Sequence, residues 1–479
     1  MARSRMITMD QKEEDLIHAM SIKTLNEIGI CIHSDSVLKM LEEKGAEVDF
    51  DSKIAKIPEV MVNEALKTAP SQFTLYGRES KHNLPLPVEG PPNCSTSGLS
   101  VYVADIDTGE ARKVTKDDLA KFIKLADALD GVGYVWTSMT LSDVPAMSHG
   151  AHELWVTLQN TTKHVTSVTA QSAEDAKMQI ELAALAAGGK EQLKKKPLMS
   201  VICCTISPLS FEKGAIEAQV EFAKAGVPIA SMAMSLGGIT SPVTMAGTVC
   251  NNNTENLASL VITQAAASGA PHIYTVESTP MEMHTAGISY HSPELPFISV
   301  SAAQMAKRYQ LPCECGCFGG SDGKSGMPWS FCETSSSSLS IMNTDLSAGM
   351  GSLDDAKTNS YEQLVIDAYF WDSYRVFLRQ YEISEETVAL DIVKEVGHGK
   401  NFLTHKHTFG NFKKELTLWD KKKLAMQATL SDNMVPEAKE IAKDLIKNHV
   451  VPALDIEILK QGETILEAYD QQVTARLKV

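Results

Sequence analysis

Apolar positions recur along the chain in two periods, and the architecture changes where the period changes. Over residues 10–68 the period is helical. Ile17, Met20, Leu25 and Ile28 make one stripe that stops at Gly29, as a helix closed by a C-terminal glycine does. Ser34 or Asp35 caps a second helix carrying Val37, Leu38 and Leu41, closed by Gly45. Pro58 stands in the first turn of a third, running from Val60 to Leu66. Asn83–Pro92 is Pro-rich and reads as a linker. Leu99–Ile106 alternates as a strand does, and Asp107-Thr108-Gly109 supplies its turn.

Beyond residue 130 short apolar runs alternate with helical stretches. The predicted strands are Gly133–Met139, His164–Thr169, Leu198–Cys204, Pro228–Met234, His272–Glu277 and Pro312–Phe318. Helices lie between them, among them Phe211–Ala225 and a long one over Pro242–Ser268 that ends at Gly269. Strands separated by single helices build a parallel sheet, because a right-handed crossover returns the chain beside its starting strand. A run this long predicts an α/β fold closed into a (β/α)8 TIM barrel. A doubly wound sheet is the alternative, but no Gly-rich phosphate loop joins the first strand to its helix. After Tyr381 the chain turns to polar helices rich in Glu and Lys, interrupted by the loop Gly397–Phe409. The expected organisation is an N-terminal helical cap over residues 1–95, a catalytic barrel over 96–380 and a C-terminal helical extension over 381–479.

Composition narrows the class without naming a function. The 479 residues are 43% hydrophobic, and no run approaches the ~18 apolar residues of a membrane span. Met1-Ala2-Arg3-Ser4-Arg5 leads into Glu13-Glu14-Asp15 and not into an apolar stretch, so no secretory signal is expected. Nine cysteines in apolar contexts read as reduced thiols of a cytoplasmic protein. A net charge of -16 argues against nucleic acid or an anionic membrane as partner and suits a cationic small substrate.

The chemistry is expected where the strand Leu311–Phe318 breaks at Gly319-Gly320 and presents Ser321, Asp322 and Lys324. Adjacent glycines let the backbone turn sharply and approach a ligand, and barrels keep their sites at strand ends. Cys313, Cys315 and Cys317 alternate onto one face of the same strand. Thiols so placed suit zinc, yet no ligand-spaced histidine pair accompanies them, and buried small side chains is the favoured reading. His405 and His407, two apart in a loop, are read as a helix-end pair.

Several segments in order resemble the trimethylamine methyltransferase family of corrinoid-dependent enzymes. They are Asp105–Arg112 (DIDTGEAR), Cys204–Leu209 (CTISPL), Ser241–Gly247 (SPVTMAG), Ser321–Lys324 (SDGK), Ser360–Val365 (SYEQLV), and Asn401-Phe402-Leu403 with His407-Thr408. The resemblance implies a TIM-barrel enzyme that passes a methyl group from an amine to cobalt in a separate corrinoid protein. It further implies a cob(I)alamin-type acceptor on that partner, no tightly bound cofactor, and a homo-oligomer. Two departures point to the branch that lacks pyrrolysine and resembles glycine betaine methyltransferase. The chain uses only the ordinary twenty residues, and Ser325–Phe331 (SGMPWSF) follows Lys324 where the family has an acidic Pro-Asp stretch.

On that reading the donor is a quaternary amine such as glycine betaine, proline betaine or carnitine. Its nitrogen already carries the charge that lets it leave as a neutral amine, so the protein mainly orients the cation and excludes water. Aromatic faces bind such cations, helped by a carboxylate. The candidates are Phe318, Trp329 and Phe331, which flank the Gly-Gly break, then Trp136 and Tyr274 in predicted strands, Tyr134 beside them, and Tyr102 on the earlier hairpin. Asp322 is the first candidate carboxylate and Glu277 the second; Lys324 would meet the carboxylate of a betaine. The other readings are a metal-dependent barrel lyase or hydrolase using Asp322, Glu277 and the cysteines, and a non-catalytic betaine-binding protein.

Overall fold

The computed structural model describes residues 6–168, 170–288, 290, 292–316, 339, 341–416 and 434–476. Eight parallel strands form the centre: β1 (Asn93–Thr96), β2 (Val135–Trp136), β3 (Val165–Ser167), β4 (Met199–Cys204), β5 (Ile229–Ala233), β6 (His272–Val276), β7 (Cys313–Gly316) and β8 (Leu346–Met350). Each pairs with the next in sequence, and β8 pairs with β1. The ring closes where the Gly133 N–H donates to the Cys94 carbonyl at 2.7 Å and Ser95 bridges Tyr134. This is the expected α/β barrel.

Alternation along these strands separates two environments. Ile202, Ala230, Met232, Ile273, Leu346 and Ala348 point inward and pack with Tyr134 and Trp136. Val201, Cys203 and Ile229 point outward against the helices. The N-terminal end of the barrel is stoppered by a hairpin, Phe73–Leu75 with Leu84–Leu86, whose Leu75, Leu84 and Leu86 join the inner cluster. With that end filled, the C-terminal end is left as the mouth.

The predicted strands in the middle of the chain are all present, but the first and last barrel strands were not expected. Asn93–Thr96 (NCST) and Leu346–Met350 (LSAGM) are short and made of small or polar residues, so neither stands out as an apolar run. The first of them straddles the expected boundary at residue 95. Leu99–Ile106 contributes Tyr102–Ala104 to a hairpin outside the barrel, paired with Ala111–Lys113.

The N-terminal segment has the three expected helices, Gln11–Glu27, Asp35–Glu43 and Glu59–Thr68. It is not purely helical. Ile30–Ile32, Glu47–Asp49 and Ile54–Lys56 form a small sheet completed by Ser210–Phe211 from the barrel. This unit shares one apolar cluster with the long helix Met245–Ala266. Polar residues inside that helix make the join: Asn253 donates to Ser21 Oγ at 2.8 Å and to the Tyr309 hydroxyl at 3.0 Å. Asn251 donates to Ser235 Oγ and to Glu255 Oε1. The run Asn251–Asn253 is therefore a connector, buried and mostly satisfied.

Toward the C-terminus, Met434–Asn448 packs on the helices Tyr361–Leu378 and Lys116–Ala128, and Ile456–Arg476 packs across His149–Asn160 and Ala173–Ala187. Trp155 Nε1 donates to Glu463 at 3.0 Å, and His152 Nε2 lies 3.0 Å from Asp470. No described helix is long and apolar enough to cross a membrane.

The segment Asp105–Arg112 proves to be a scaffold. Asp105 accepts from the N–H groups of Asp107 and Thr108 and from Arg112 Nε. The Arg112 guanidinium then grips buried Asp118 with two bonds of 2.7 Å, while Thr115 adds two more. Removing the Asp118 side chain would strand these donors and remove one half of the capping box of the helix Lys116–Ala128. The expected cost of Asp118→Ala is about 2–3 kcal/mol, read as a lower urea midpoint with an unchanged slope.

Candidate active site

The mouth is built around two glutamates on neighbouring strands. Strand β7 turns Cys313 and Cys315 outward into the helix-facing cluster, so Glu314 between them points into the barrel. It is fully buried, and the Tyr134 hydroxyl from the neighbourhood of β2 lies 2.5 Å from its Oε1 and 3.0 Å from the Ser347 carbonyl. Glu277 follows the last residue of β6 and is half-buried above it. Its side chain lies directly over Gly316: a Cβ there would be 2.8 Å from Glu277 Cγ and Cδ. The missing side chain of Gly316 is what makes room for the carboxyl.

Aromatic rings enclose the pair. Trp136, at the end of β2, is buried against Gly98, where a Cβ would stand 2.5 Å from the ring. Its indole N–H meets no acceptor at hydrogen-bonding geometry, yet lies close enough to Glu314 to favour the ionised carboxylate. From the other side the Tyr290 hydroxyl lies close enough to Glu277 to favour its ionised carboxylate. Tyr290 follows a hairpin, Thr279–Glu282 with Gly287–Ile288, that pairs with Leu236–Gly237 over the mouth. Beyond it Asp355 carries a buried oxygen without a partner, in a turn where Asp354, Asp355 and Ala356 all have positive φ.

The electrostatics follow from burial. Loss of water pushes the Glu277 carboxyl up to about 7 against the lowering pull of Tyr290. Burial likewise pushes Glu314 up to about 7; the Tyr134 bond opposes this and the charge of Glu277 adds to it. Burial, then the charge of Glu277, raises the Cys204 thiol to about 12. Neither glutamate has a Lys or Arg counter-ion among the described residues. Two carboxyls that titrate near neutral pH, walled by aromatic rings and with no positive partner among the described residues, make a site suited to a cation.

Of the residues expected from sequence, Trp136 and Glu277 meet at this mouth, together with Tyr134. Tyr102 lies on the outer rim, exposed, on a strand paired with Thr358–Ser360. Tyr274 is corrected: it faces out of the barrel and donates to Asn253 Oδ1 at 3.0 Å, because alternation along β6 turns it away from the lumen. Asp322, Phe318, Gly319, Gly320, Lys324, Trp329 and Phe331 lie outside the described residues, as does Cys317. Cys313 and Cys315 sit 3.9 Å apart at sulfur, with Cys315 against the Ser299 carbonyl at 3.6 Å. Among the described residues no three His, Cys, Asp or Glu side chains are grouped to hold a metal ion. His405 caps its helix, Nδ1 accepting from the His407 N–H at 3.1 Å.

Sequence reading passed over Glu314, Tyr290 and Gly316. A signal for Glu314 was present. A glutamate in the middle of a strand predicted to be buried is rare enough to flag a site, and the alternation that grouped the cysteines puts it on the opposite face.

The trimethylamine methyltransferase (MTTB) family model matches residues 2–472. The chain belongs to this family. It is a methyltransferase. A trimethylamine methyltransferase of Desulfitobacterium hafniense is 31% identical over 401 residues, covering 83% of this chain and 80% of that one. A glycine betaine methyltransferase from another strain of that species is 28% identical over 462 residues, covering 94% of each. Among solved structures, the Methanosarcina barkeri monomethylamine methyltransferase superposes with a TM-score of 0.55 over 93% of this chain and 90% of its own, at 12% identity; that likeness is one of fold.

The dependence of Glu277 on Gly316 gives a direct test. Gly316→Ala would drive Glu277 off the strand, and the affinity for a quaternary ammonium ligand is expected to fall at least tenfold while the circular dichroism spectrum is retained. Titration of the purified variant by calorimetry measures it.

Proposed function

We propose that this family member transfers a methyl group from a quaternary amine to the Co(I) of a separate corrinoid protein, with a betaine-type cation as donor. The observation that carries the proposal is the Glu277–Glu314 pair, which has no Lys or Arg counter-ion among the described residues and is flanked by Trp136, Tyr134 and Tyr290. A trimethylammonium group carries a fixed positive charge on a greasy surface. It matches a site with aromatic faces and a carboxylate, each ring contributing about 0.5–2 kcal/mol. The relative named for glycine betaine, a quaternary amine, supports that class of donor.

The chemistry asks little of the protein beyond placement. The acceptor's electron pair forms the new bond to the methyl carbon while the carbon–nitrogen bond breaks, its pair remaining on nitrogen. A quaternary nitrogen leaves as a neutral tertiary amine and needs no proton. Trp136 and Tyr290 would hold the cation, Glu277 would fix its depth, and the hairpin ending at Tyr290 would limit water; this is acceleration by orientation. Charge leaves nitrogen as the methyl group departs, so a carboxylate held too close would favour the ground state. The nearby Tyr290 hydroxyl, which favours the ionised form of Glu277, would moderate that effect. Cys204, kept as a neutral thiol by its raised pKa, is a poor competitor for the methyl group.

A docking partner also needs a landing surface. The loops after the strands expose Leu99, Ile206, Ile239, Val243, Met283 and Ile288 around the mouth. An apolar rim of this kind marks an interaction site, and it lies at the end of the barrel opposite the hairpin.

The reading is tested by incubating the enzyme with a reduced corrinoid protein and, separately, glycine betaine, proline betaine, carnitine and trimethylamine, while following absorbance of the methylated corrinoid. At least one quaternary donor is expected to give turnover and trimethylamine none; no turnover across the panel would reject it. The pH dependence supplies a second test. Both carboxyls are raised to about 7, so below that pH they are protonated and bind a cation poorly, and above it they are charged. The donor itself does not titrate. KM for the donor is therefore expected to rise about tenfold from pH 7 to pH 6, and Glu277→Gln is expected to raise KM and flatten this dependence.

A further inference from the structure

Five buried side-chain hydroxyls find no hydrogen-bond partner among the described residues: Ser95, Ser97, Thr157, Ser231 and Ser352. Three of them belong to the mouth ends of two neighbouring strands. Ser95 lies in β1, and Ser97 stands just beyond it, where its N–H still donates to the Met350 carbonyl of β8 at 2.9 Å. Ser352 follows the end of β8 by two residues. All three side chains are at most 2% exposed. A buried hydroxyl without a partner is costly, and either ordered water or a ligand completes it. Their grouping on one wall of the mouth points to a ligand.

Register sets this wall beside the glutamates. Cys94 faces the helices, so Ser95 points into the barrel. The ladders pair Val276 with Cys315, Gly316 with Ala348, and Ser347 with Cys94. Glu277, Gly316, Ala348 and Ser95 therefore share one level of the ring. The Glu277 side chain lies over Gly316, and the strand after it offers only the methyl group of Ala348. From β7 to β1 is two strand spacings, about 9.5 Å, and side chains reaching inward shorten the gap. A molecule the size of glycine betaine spans it.

The two ends of this slot differ in chemistry. Glu277 and Glu314 attract positive charge, whereas the serines can turn their hydroxyls to donate. Trp136 Nε1 belongs to the first end, because it lies close to Glu314. A donor that carries only a quaternary nitrogen would leave the hydroxyls as they are. A zwitterion completes both ends, with its nitrogen at the glutamates and its own carboxylate, which accepts several hydrogen bonds, at the serines. Setting that carboxylate beyond Ala348, and not against the glutamates, limits repulsion among the like charges.

We propose that Ser95, Ser97 and Ser352 receive the carboxylate of a zwitterionic methyl donor, and so select betaines over quaternary amines that lack one. This rests on the preceding reading of Glu277 and Glu314 as the site of the cation. Calorimetric titration of the purified wild type with glycine betaine and with tetramethylammonium tests it. Glycine betaine is expected to bind about tenfold more tightly, or better. The double variant Ser95→Ala, Ser97→Ala is expected to weaken glycine betaine about tenfold and to leave tetramethylammonium within about twofold. Equal wild-type affinity for the two ligands would overturn the proposal and leave the cation site standing. So would a variant that weakens both alike or neither. A wild type that binds neither ligand would overturn the cation site and this proposal together. Should circular dichroism show the double variant unfolded, the single variants Ser97→Ala and Ser352→Ala carry the same comparison, and an undiminished preference for glycine betaine in both overturns the proposal.

Discussion

Two buried carboxyl groups on neighbouring strands of a barrel, with no Lys or Arg counter-ion among the described residues, constrain everything around them. Each loses hydration on burial, and the charge of Glu277 adds to the cost of ionising Glu314. The protein meets this with the Tyr134 hydroxyl bonded to Glu314, the Tyr290 hydroxyl near Glu277, and a glycine at 316 that makes room for the upper carboxyl. These donors share the charge but do not cancel it. The remaining imbalance is a standing affinity for something positive, and the aromatic walls select a positive group that is poorly hydrated. On the proposed reading that group is the quaternary ammonium of the donor; a primary ammonium would demand hydrogen-bond acceptors on three sides.

The rest of the fold serves this imbalance. The Leu75–Leu86 hairpin fills one end of the barrel, so the other is the route in. The N-terminal unit and the long helix Met245–Ala266 brace β5 and β6 from outside through buried asparagines. The Arg112–Asp118 clasp anchors the first helix after the hairpin at the rim. Segments that carry the family likeness thus divide into two kinds. Asp105–Arg112 holds the scaffold together, and Cys204–Leu209 lines or braces the mouth, Thr205, Ser207 and the Leu209 N–H all converging on buried Glu255.

Much of the architecture was legible from the pattern of residues. Long apolar runs such as MSVICC and HIYTV cannot be surface elements, and helices between them dictate parallel pairing. The two strands that went unread, NCST and LSAGM, have no such run; they are strands because their neighbours in the ring present unpaired edges to them. Likewise Tyr274 and Trp136 look alike as aromatic residues in buried strands. Only the register of β6 and β2 sends one to Asn253 and the other into the lumen.

The chain by itself determined the fold class, the family and a charged residue in a strand where charge is costly. These follow from local periodicity and composition, which need no knowledge of what lies opposite. The tertiary structure decided which side chains face one another. Glu277 and Glu314 are 37 positions apart in the chain, and Tyr134 is 180 from the glutamate it bonds. Their meeting, the shared rise in proton affinity and the absence of a described counter-ion are properties of a closed ring of strands. No stretch of sequence contains them, because electrostatic coupling depends on distance in space and on the water excluded between the groups.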